Sequence, residues 1–230
     1  MKTLPLYILL YMLPFASFAQ NGLLTGSADN NEKPVVQPLQ ILPASVTIKD
    51  SLLPIQSFSR KAFRSAKLIL AGEVATMVFF YMMPEDFSNW NRNFYKTPVP
   101  HWKRAFTMPP KWDDDPNVVN YVQHPLAGAI YYNGVRSQGA TRLQSLLFSV
   151  AESTFFEYFI ESVAERPSTQ DLIVTPLAGS LIGEMENMLT LRMKRRGFSF
   201  AEKVAVTIIN PMYVVFNGYK NPAYSSRVTY

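Results

Sequence analysis

The sequence predicts an all-α fold, a bundle of about five helices that could be built from two helical hairpins and one N-terminal helix. Hydrophobic residues recur at helical spacing over long stretches, and glycines stand where these stretches end. Alternation of apolar and polar residues, which is typical of a β-strand, occurs only in brief stretches, for example near residues 227–230. With 230 residues and 48% hydrophobic side chains, the chain can bury one sizeable core, which excludes disorder of the whole chain.

Residues 1–19 have the form of a secretory signal peptide. Lys2 precedes an apolar run of about a dozen residues, and small residues come before Gln20. We therefore expect an exported protein whose mature chain begins at Gln20; an uncleaved N-terminal anchor is the alternative. The sequence has no cysteine, which excludes disulfides, thiolate zinc sites and a cysteine nucleophile.

Two proline-rich regions flank the first predicted helix, which runs from Arg60 to Met83. Residues 20–59 contain four prolines and are predicted to be a flexible tether. Residues 84–120 are predicted to be irregular, because prolines interrupt them, and they hold all three tryptophans among basic residues. Aromatic rings interleaved with cations suit a membrane–water interface; a lid that packs onto the bundle is the alternative.

Four more helices are predicted, at about 125–138, 141–165, 169–196 and 200–217. Gly139 and Gly197 are natural helix ends, and Thr141 and Ser199 follow as N-cap candidates. The helical domain is therefore predicted to span 60–218, with a C-terminal tail at 219–230.

The strings 124–128 and 175–179 both read x-Pro-Leu-Ala-Gly, and each precedes a helix. They indicate either a duplicated helical hairpin or a chance similarity. In both cases the small residues permit close packing of helix backbones.

Glutamates stand in the apolar stripes of three predicted helices. At about 100° per residue, Glu152 aligns with phenylalanines of its helix, whereas Glu157 falls on the polar, solvent-facing side. Glu184 aligns with an apolar stripe expected to face the core, and Glu186 falls on the polar side. That stripe comprises Ile173, Leu177, Leu181, Met188 and Leu191. Glu73 likewise lies among apolar residues, and a desolvated carboxylate needs a partner or a shifted pKa.

The candidate catalytic residues are His124, Glu152, Glu184 and Asp171, since carboxylates around a histidine suit general acid–base chemistry. The candidate ligand-binding residues are Glu73, Arg136 and Arg166. A purely structural polar core is the alternative, in which His124, Arg136 and Arg142 pair with the glutamates. Asp171 could also act only as a helix-start residue, three positions after the N-cap candidate Ser168.

The local spacing of the sequence predicts no metal site and no cofactor. The chain has two histidines, and it contains neither a His-x-x-x-His nor a Glu-x-x-His pair. The acidic run at 113–115 lacks the alternating ligands and central glycine of an EF-hand. The sequence also lacks a P-loop, a dinucleotide fingerprint and a Gly-x-Ser-x-Gly motif.

A set of residues between 110 and 186 carries a resemblance to a known family. They are Asp115-Pro116, Asn120-Tyr121-Val122, His124-Pro125, Gly128, Glu157, Glu161, Glu165-Arg166-Pro167-Ser168, Asp171-Leu172, Thr175-Pro176, Gly179 and Gly183-Glu184. Here the chain resembles the bacterial domain-of-unknown-function family 3943 and is similar, more loosely, to the VanZ-like and YfiM-like envelope families. The resemblance implies a Gram-negative envelope protein and assigns no catalytic residues.

We therefore expect an exported, membrane-associated helical protein of the periplasm or outer envelope. Its polar core is expected to bind an amphiphile or a protein partner, so a lipid surface or an envelope protein is the expected partner. One alternative is an acid–base enzyme acting on a lipid or glycan head group, and another is a structural accessory of an outer-membrane assembly. Nucleic acid is not expected, because the net charge of +5 includes no long basic tract.

Overall fold

The computed structural model describes residues 56–82, 96, 98–112 and 115–219. It confirms the all-α class: these residues form seven α-helices and no strand. The helices are α1 (Phe58–Met82), α2 (Pro98–Thr107), α3 (His124–Arg136), α4 (Arg142–Phe155), α5 (Thr169–Arg196), α6 (Phe200–Ile209) and α7 (Pro211–Asn217). The predicted signal peptide, nearly all of the tether and all but the first residue of the tail lie outside the described residues.

The structure differs from the predicted elements in several places. The helix predicted at 200–217 is divided at Asn210 into α6 and α7, and a π-helical segment, Val119–Gln123, leads into α3. The prediction that 84–120 is irregular is wrong at Pro98–Thr107, which forms α2. Its two prolines fall in the first helical turn, where a missing N–H leaves no hydrogen bond unmade. The helix predicted at 141–165 ends at Phe155 and continues as a π-helical segment, Phe156–Ile160, and a 3-10 turn, Glu161–Val163.

The predicted helix boundaries at the glycines are confirmed. Gly139 and Gly197 have φ angles of 80° and 79°, which glycine adopts without strain. Thr141 and Ser199 each form a capping box, in which the hydroxyl accepts from the backbone N–H three residues later. These turns are therefore set by local sequence.

Helix α3 is the centre of the bundle, and α1, α4, α5 and α7 pack around it. It runs parallel to α5, since His124 lies beside Thr175 and Tyr132 lies beside Gly183. It runs antiparallel to α1, where Lys61 donates to the carbonyl of Gly139. A helix surrounded on so many sides is buried along almost its whole length.

Two glycines set the distance between α3 and α5. A Cβ atom on Gly128 would collide with the carbonyl oxygen of Thr175, and one on Gly179 would lie 2.5 Å from Cα of Gly128. The two similar strings of the sequence therefore face each other at the point where the helices touch. Backbones at this separation leave no room for a larger side chain.

The polarity of the outer helices is the reverse of the prediction. Helix α5 buries small and polar residues, among them Thr175, Gly179, Gly183, Asn187 and Thr190. The stripe predicted to face the core lies outside: Ile173, Leu177, Leu181, Met188 and Leu191 are all exposed, Leu181 to 71%. The prediction failed because α5 contacts α3 through its small residues, so its large side chains point away.

The same reversal occurs in α4 and α1. Helix α4 buries three serines and Glu152, and it exposes Leu143, Leu147 and Val150. Helix α1 buries Lys61, Ser65, Ile69 and Glu73, and it exposes Leu70, Val74 and Val78. Polar atoms bond across these contacts, as where the Ser149 hydroxyl donates to the carbonyl of Gly128 at 3.2 Å.

Two apolar clusters lie inside the bundle. The larger surrounds α3 and includes Ile69, Tyr131, Val135, Phe148 and Met212. The smaller comprises Phe198, Val206, Tyr213 and Val214, where α6 and α7 meet the chain after α5. Within the described part of the chain, no helix combines the length and the hydropathy needed to span a bilayer.

We predict that Gly128→Ala lowers the free energy of unfolding by roughly 1–3 kcal/mol, because α3 and α5 must separate to admit the methyl group. Gly134→Ala is the matched control on the same helix. Its added Cβ would lie 3.1 Å from Cβ of Ser65, a tight contact that needs a shift of only a few tenths of an ångström, and alanine favours the helix by up to about 1 kcal/mol. Denaturation followed by circular dichroism measures both, and equal losses would contradict the close-packing argument.

Candidate functional site

One end of the bundle gathers acidic side chains, and we call it the acidic end. It contains the start of α3, the π-helical segment after α4 and the first turn of α5. These elements supply His124, Glu157 and Asp171, each of which offers a donor atom within 4.8 Å of the other two. Because the three residues are far apart in sequence, the tertiary structure alone brings them together.

Each of the three side chains is held by neighbouring groups. Nδ1 of His124 lies 3.2 Å from Oγ1 of Thr175 and 3.8 Å from Oδ1 of Asp171. Oε2 of Glu157 accepts from the backbone N–H of Ser168 at 2.8 Å, and the Ser168 hydroxyl caps α5 by accepting from N–H of Asp171. The expected helix-start role of Asp171 is thus present beside its contact with His124.

The loop before α5 is fixed by a short backbone bridge. Lys111 donates its N–H to the carbonyl of Pro167 at 2.9 Å and accepts from N–H of Thr169 at 2.8 Å. This bridge anchors the residues that lead into the acidic end. It therefore limits movement of Ser168, which touches both Glu157 and Asp171.

The prediction that Glu157 faces solvent is wrong, since its exposed fraction is 1%. The prediction assumed one continuous helix with a single buried side. Instead, the α-helix gives way to a π-helical segment at Phe156, and the chain then folds back so that Ser168 covers the glutamate. The predicted burial of Glu152 is confirmed, at 8% exposed.

Further carboxylates surround the acidic end. The pKa of Glu161 is raised well above its ordinary value by burial and by the negative charges of Glu157, Glu165 and Asp171. Glu165 has a cation nearby, since its carboxylate lies 3.7 Å from Nζ of Lys111. Negative charge therefore accumulates at this end of the bundle.

Glu184 lies in a second polar group at the opposite end of α3. It accepts hydrogen bonds from Tyr132 at 2.7 Å, from Arg136 at 2.8 and 3.2 Å and from Arg142 at 2.8 Å. Burial acts to raise the pKa of Glu184, but these hydrogen bonds outweigh it and lower the pKa to about 2. Thirteen residues of helix, about 20 Å, separate Glu184 from Asp171.

Glu73 and Glu152 lie inside the bundle between these two ends. Burial raises the pKa of Glu73 to about 7, and the charge of Glu152 contributes to the rise. A hydrogen bond from Tyr131 at 2.9 Å acts in the opposite direction and lowers this pKa. Burial also raises the pKa of Glu152 to about 7. None of the three cations predicted as partners for buried glutamates contacts Glu73 or Glu152 in the ion pairs of the described residues. Arg136 and Arg142 pair with Glu184, and His124 lies beside Asp171.

Arg166 lines a cavity of about 410 Å³ beside the acidic end. The cavity is lined by His101, Arg104, Lys111, Ala164, Glu165 and Arg166, and we call it the cationic cavity. The buried Nε of Arg166 has no hydrogen-bond partner. Helix α2 forms one wall, and it is held on the π-helical segment by a hydrogen bond from Trp102 to the carbonyl of Phe159 at 3.0 Å.

Residues 109–212 match the family model of a domain of unknown function (DUF3943). This part of the chain is a DUF3943 domain. The match confirms the resemblance that the sequence carried, and it covers α3 to α6 together with the acidic end. Comparison with curated proteins and with solved structures gives no match.

The structure thus divides the predicted site residues into separate groups. His124 and Asp171 come together, Glu184 and Arg136 come together about 20 Å away, and Glu73 with Glu152 lies between. Sequence analysis gave Glu157 a solvent-facing position, although the family resemblance included that residue. It also assigned no role to the neighbour Thr175, although that residue stands both in the repeated string and in the family resemblance.

Glu186 was also predicted to face the polar side, yet it accepts a hydrogen bond from buried Asn133 at 2.9 Å. Burial raises its pKa to about 8, partly offset by that hydrogen bond. Because α5 turns its polar side inward, Glu186 and Glu184 both face α3. The pKa values of these two neighbouring glutamates are therefore shifted in opposite directions.

We predict that Glu186→Gln stabilises the domain at alkaline pH. A folded pKa of about 8 lies above the ordinary value of 4.5, so this carboxyl costs stability progressively as the pH rises from 4.5 to 8. Each unit of difference is worth about 1.4 kcal/mol. Thermal melts at pH 5 and pH 8.5 should show the variant gaining over the wild type only at the higher pH; a gain that is the same at both would contradict the assignment.

We predict the opposite behaviour for Glu184→Gln. A folded pKa of about 2 lies below 4.5, so the stability that Glu184 contributes is present above pH 4.5 and is lost as the pH falls towards 2. At pH 7 the variant should lose about 2 kcal/mol, since two arginines lose a charged acceptor. Melting temperatures measured from pH 7 down to pH 2 check this. If the variant and the wild type lose stability equally as the pH falls from 4.5 to 2, Glu184 is not the group responsible.

Proposed function

We propose that this protein is a membrane-associated protein of the cell envelope, whose helical domain contacts lipid through its outer surface and binds an anionic amphiphile. The reversed polarity of the bundle is the observation that carries the proposal. Helices α1, α4 and α5 bury polar residues and expose large apolar ones, including Leu143, Leu181 and Val78. Contiguous apolar surface of this kind marks an interaction site in proteins that are otherwise folded.

Lipid is the occupant that the neighbouring chemistry favours. Helix α2 exposes Val99, Trp102 and Phe106, and Trp112 is 66% exposed shortly after it. Basic residues accompany these rings, as they do in segments that lie at the membrane–water interface. Three more cations, Lys194, Arg195 and Arg196, stand in the last turn of α5, where they can meet anionic head groups.

The cationic cavity supports an anionic head group as the polar part of the ligand. Arg104, Lys111 and Arg166 line it together with His101, and Glu165 is the one acidic residue among the described residues of the lining. The guanidinium groups of Arg104 and Arg166 are donors suited to phosphate oxygens. The cavity wall and the exposed ring of Trp102 belong to the same helix, so a head group and an acyl chain can be bound side by side.

We predict that Leu177→Gln combined with Leu181→Gln reduces recovery of the protein with phospholipid vesicles by at least about threefold, because two apolar side chains leave the lipid-facing surface. Thr154→Gln, at an exposed polar position of α4, is the control and should bind as the wild type does. Flotation of the full chain with the vesicles measures the bound fraction. A wild-type protein that stays monodisperse without detergent and does not bind vesicles would contradict the proposal. An oligomer whose interface covers this apolar surface would also contradict it.

We predict that Arg104→Ala combined with Arg166→Ala removes most of the preference for vesicles that contain phosphatidylglycerol over pure phosphatidylcholine. Lys103→Ala is the matched control, since Lys103 is an exposed cation of the same helix outside the cavity lining. A loss in Lys103→Ala that is half as large, in proportion to its single charge, would mean that only the total charge matters.

A second candidate is the acid–base enzyme acting on a lipid or glycan head group. The approach of His124 to Asp171 at 3.8 Å favours it, because a carboxylate beside an imidazole can set its orientation and its basicity. Mass spectrometry of lipids incubated with the wild type and with His124→Gln would test it. A product that forms only with the wild type is the expected result for an enzyme.

A further inference from the structure

The acidic end brings together three metal-ligating side chains from three different elements. The donor atoms of His124, Glu157 and Asp171 lie within 4.8 Å of one another. His124 begins α3, Glu157 belongs to the π-helical segment, and Asp171 lies in the first turn of α5. A grouping built from such distant residues depends on the tertiary packing of the whole bundle.

Burial makes this grouping different from a surface cluster of acids. Glu157 and Asp171 are each 1% exposed, and the side chain of His124 is 11% exposed. Two carboxylates this close, in surroundings of low polarity, repel each other unless a cation or a proton lies between them.

The groups around the three side chains resemble the outer shell of a metal site. The backbone N–H of Ser168 donates to Oε2 of Glu157, which fixes that carboxylate, and Oγ1 of Thr175 lies 3.2 Å from Nδ1 of His124. Hydrogen bonds of this kind orient ligands before an ion arrives. The bridge between Lys111 and the loop before α5 holds Ser168 in place.

We propose that His124, Glu157 and Asp171 bind one divalent transition-metal ion, such as Zn²⁺ or Mn²⁺. Bonds of about 2.0–2.2 Å to one ion place its ligand atoms roughly 3–4 Å apart, so small side-chain rotations complete the site. One imidazole with two carboxylates suits these ions, whereas Ca²⁺ and Mg²⁺ prefer oxygen ligands alone. Three protein ligands leave a position for water or for an anionic ligand.

This inference is independent of lipid binding. The lipid-facing surface and the cationic cavity use other side chains, and the metal ligands lie inside the DUF3943 domain. A protein that does not bind vesicles could therefore still bind the metal ion, and a protein that does not bind the metal ion could still bind lipid.

The test is titration of the full chain, purified in mild detergent and stripped with EDTA, with Zn²⁺ and with Mn²⁺ by calorimetry. We expect one ion per chain and a rise in melting temperature. His124→Gln, Glu157→Gln and Asp171→Asn should each weaken binding at least about tenfold. His101→Gln, from the neighbouring cavity, and Glu186→Gln, a largely buried carboxyl further along α5, are the matched controls and should bind as the wild type does.

Substitution with Co²⁺ provides a second measurement that does not depend on the stability of any variant. Visible absorption typical of a four- or five-coordinate site with a nitrogen ligand is expected for the wild type, and it should change in His124→Gln. Absence of stoichiometric Zn²⁺ or Mn²⁺ binding by the wild type would overturn the proposal. So would binding that all three ligand variants retain, or that the two control variants lose equally.

Discussion

The close contact of α3 with α5 at Gly128 and Gly179 is the constraint on which the rest of the structure depends. It fixes two parallel helices with their backbones touching, so that only small or hydrogen-bonding side chains fit along the seam. The large apolar residues of α5 must then point outward. The same register that places His124 beside Thr175 also places Arg136 beside Glu184 about three turns later, so one contact determines both polar groups.

Parallel packing also explains why charge is separated along the bundle. The N-terminus of α5 lies at the acidic end, and its dipole favours negative charge there. Asp171 stands in the first turn of α5, whereas Arg136 stands in the last turn of α3. These local dipoles favour the acidic residue at the start of α5 and the arginine at the end of α3.

The π-helical segment after α4 connects the two surfaces for which we propose functions. Its inner side carries Glu157, which belongs to the acidic cluster, and its outer side carries Tyr158 and Phe159, whose rings lie 5.4 Å from that of Phe106 on α2. A π turn widens the helix locally and is frequent at functional sites. The same five residues therefore contact α2 on one side and hold a proposed metal ligand on the other.

Local sequence determined the helices and their ends, because caps such as Thr141 and glycines such as Gly139 act within a few residues of chain. It also revealed the family, whose motif residues lie along one continuous stretch. It did not determine which side of each helix is inside, since an apolar stripe such as that of α5 fits a core or an outer surface equally well. It could not find the grouping of Glu157 with His124 and Asp171, because that grouping follows from packing and from a π-helical segment that periodicity does not show. Only the tertiary structure decided these points: side-chain size at the seam, rather than hydrophobicity, selected the buried face.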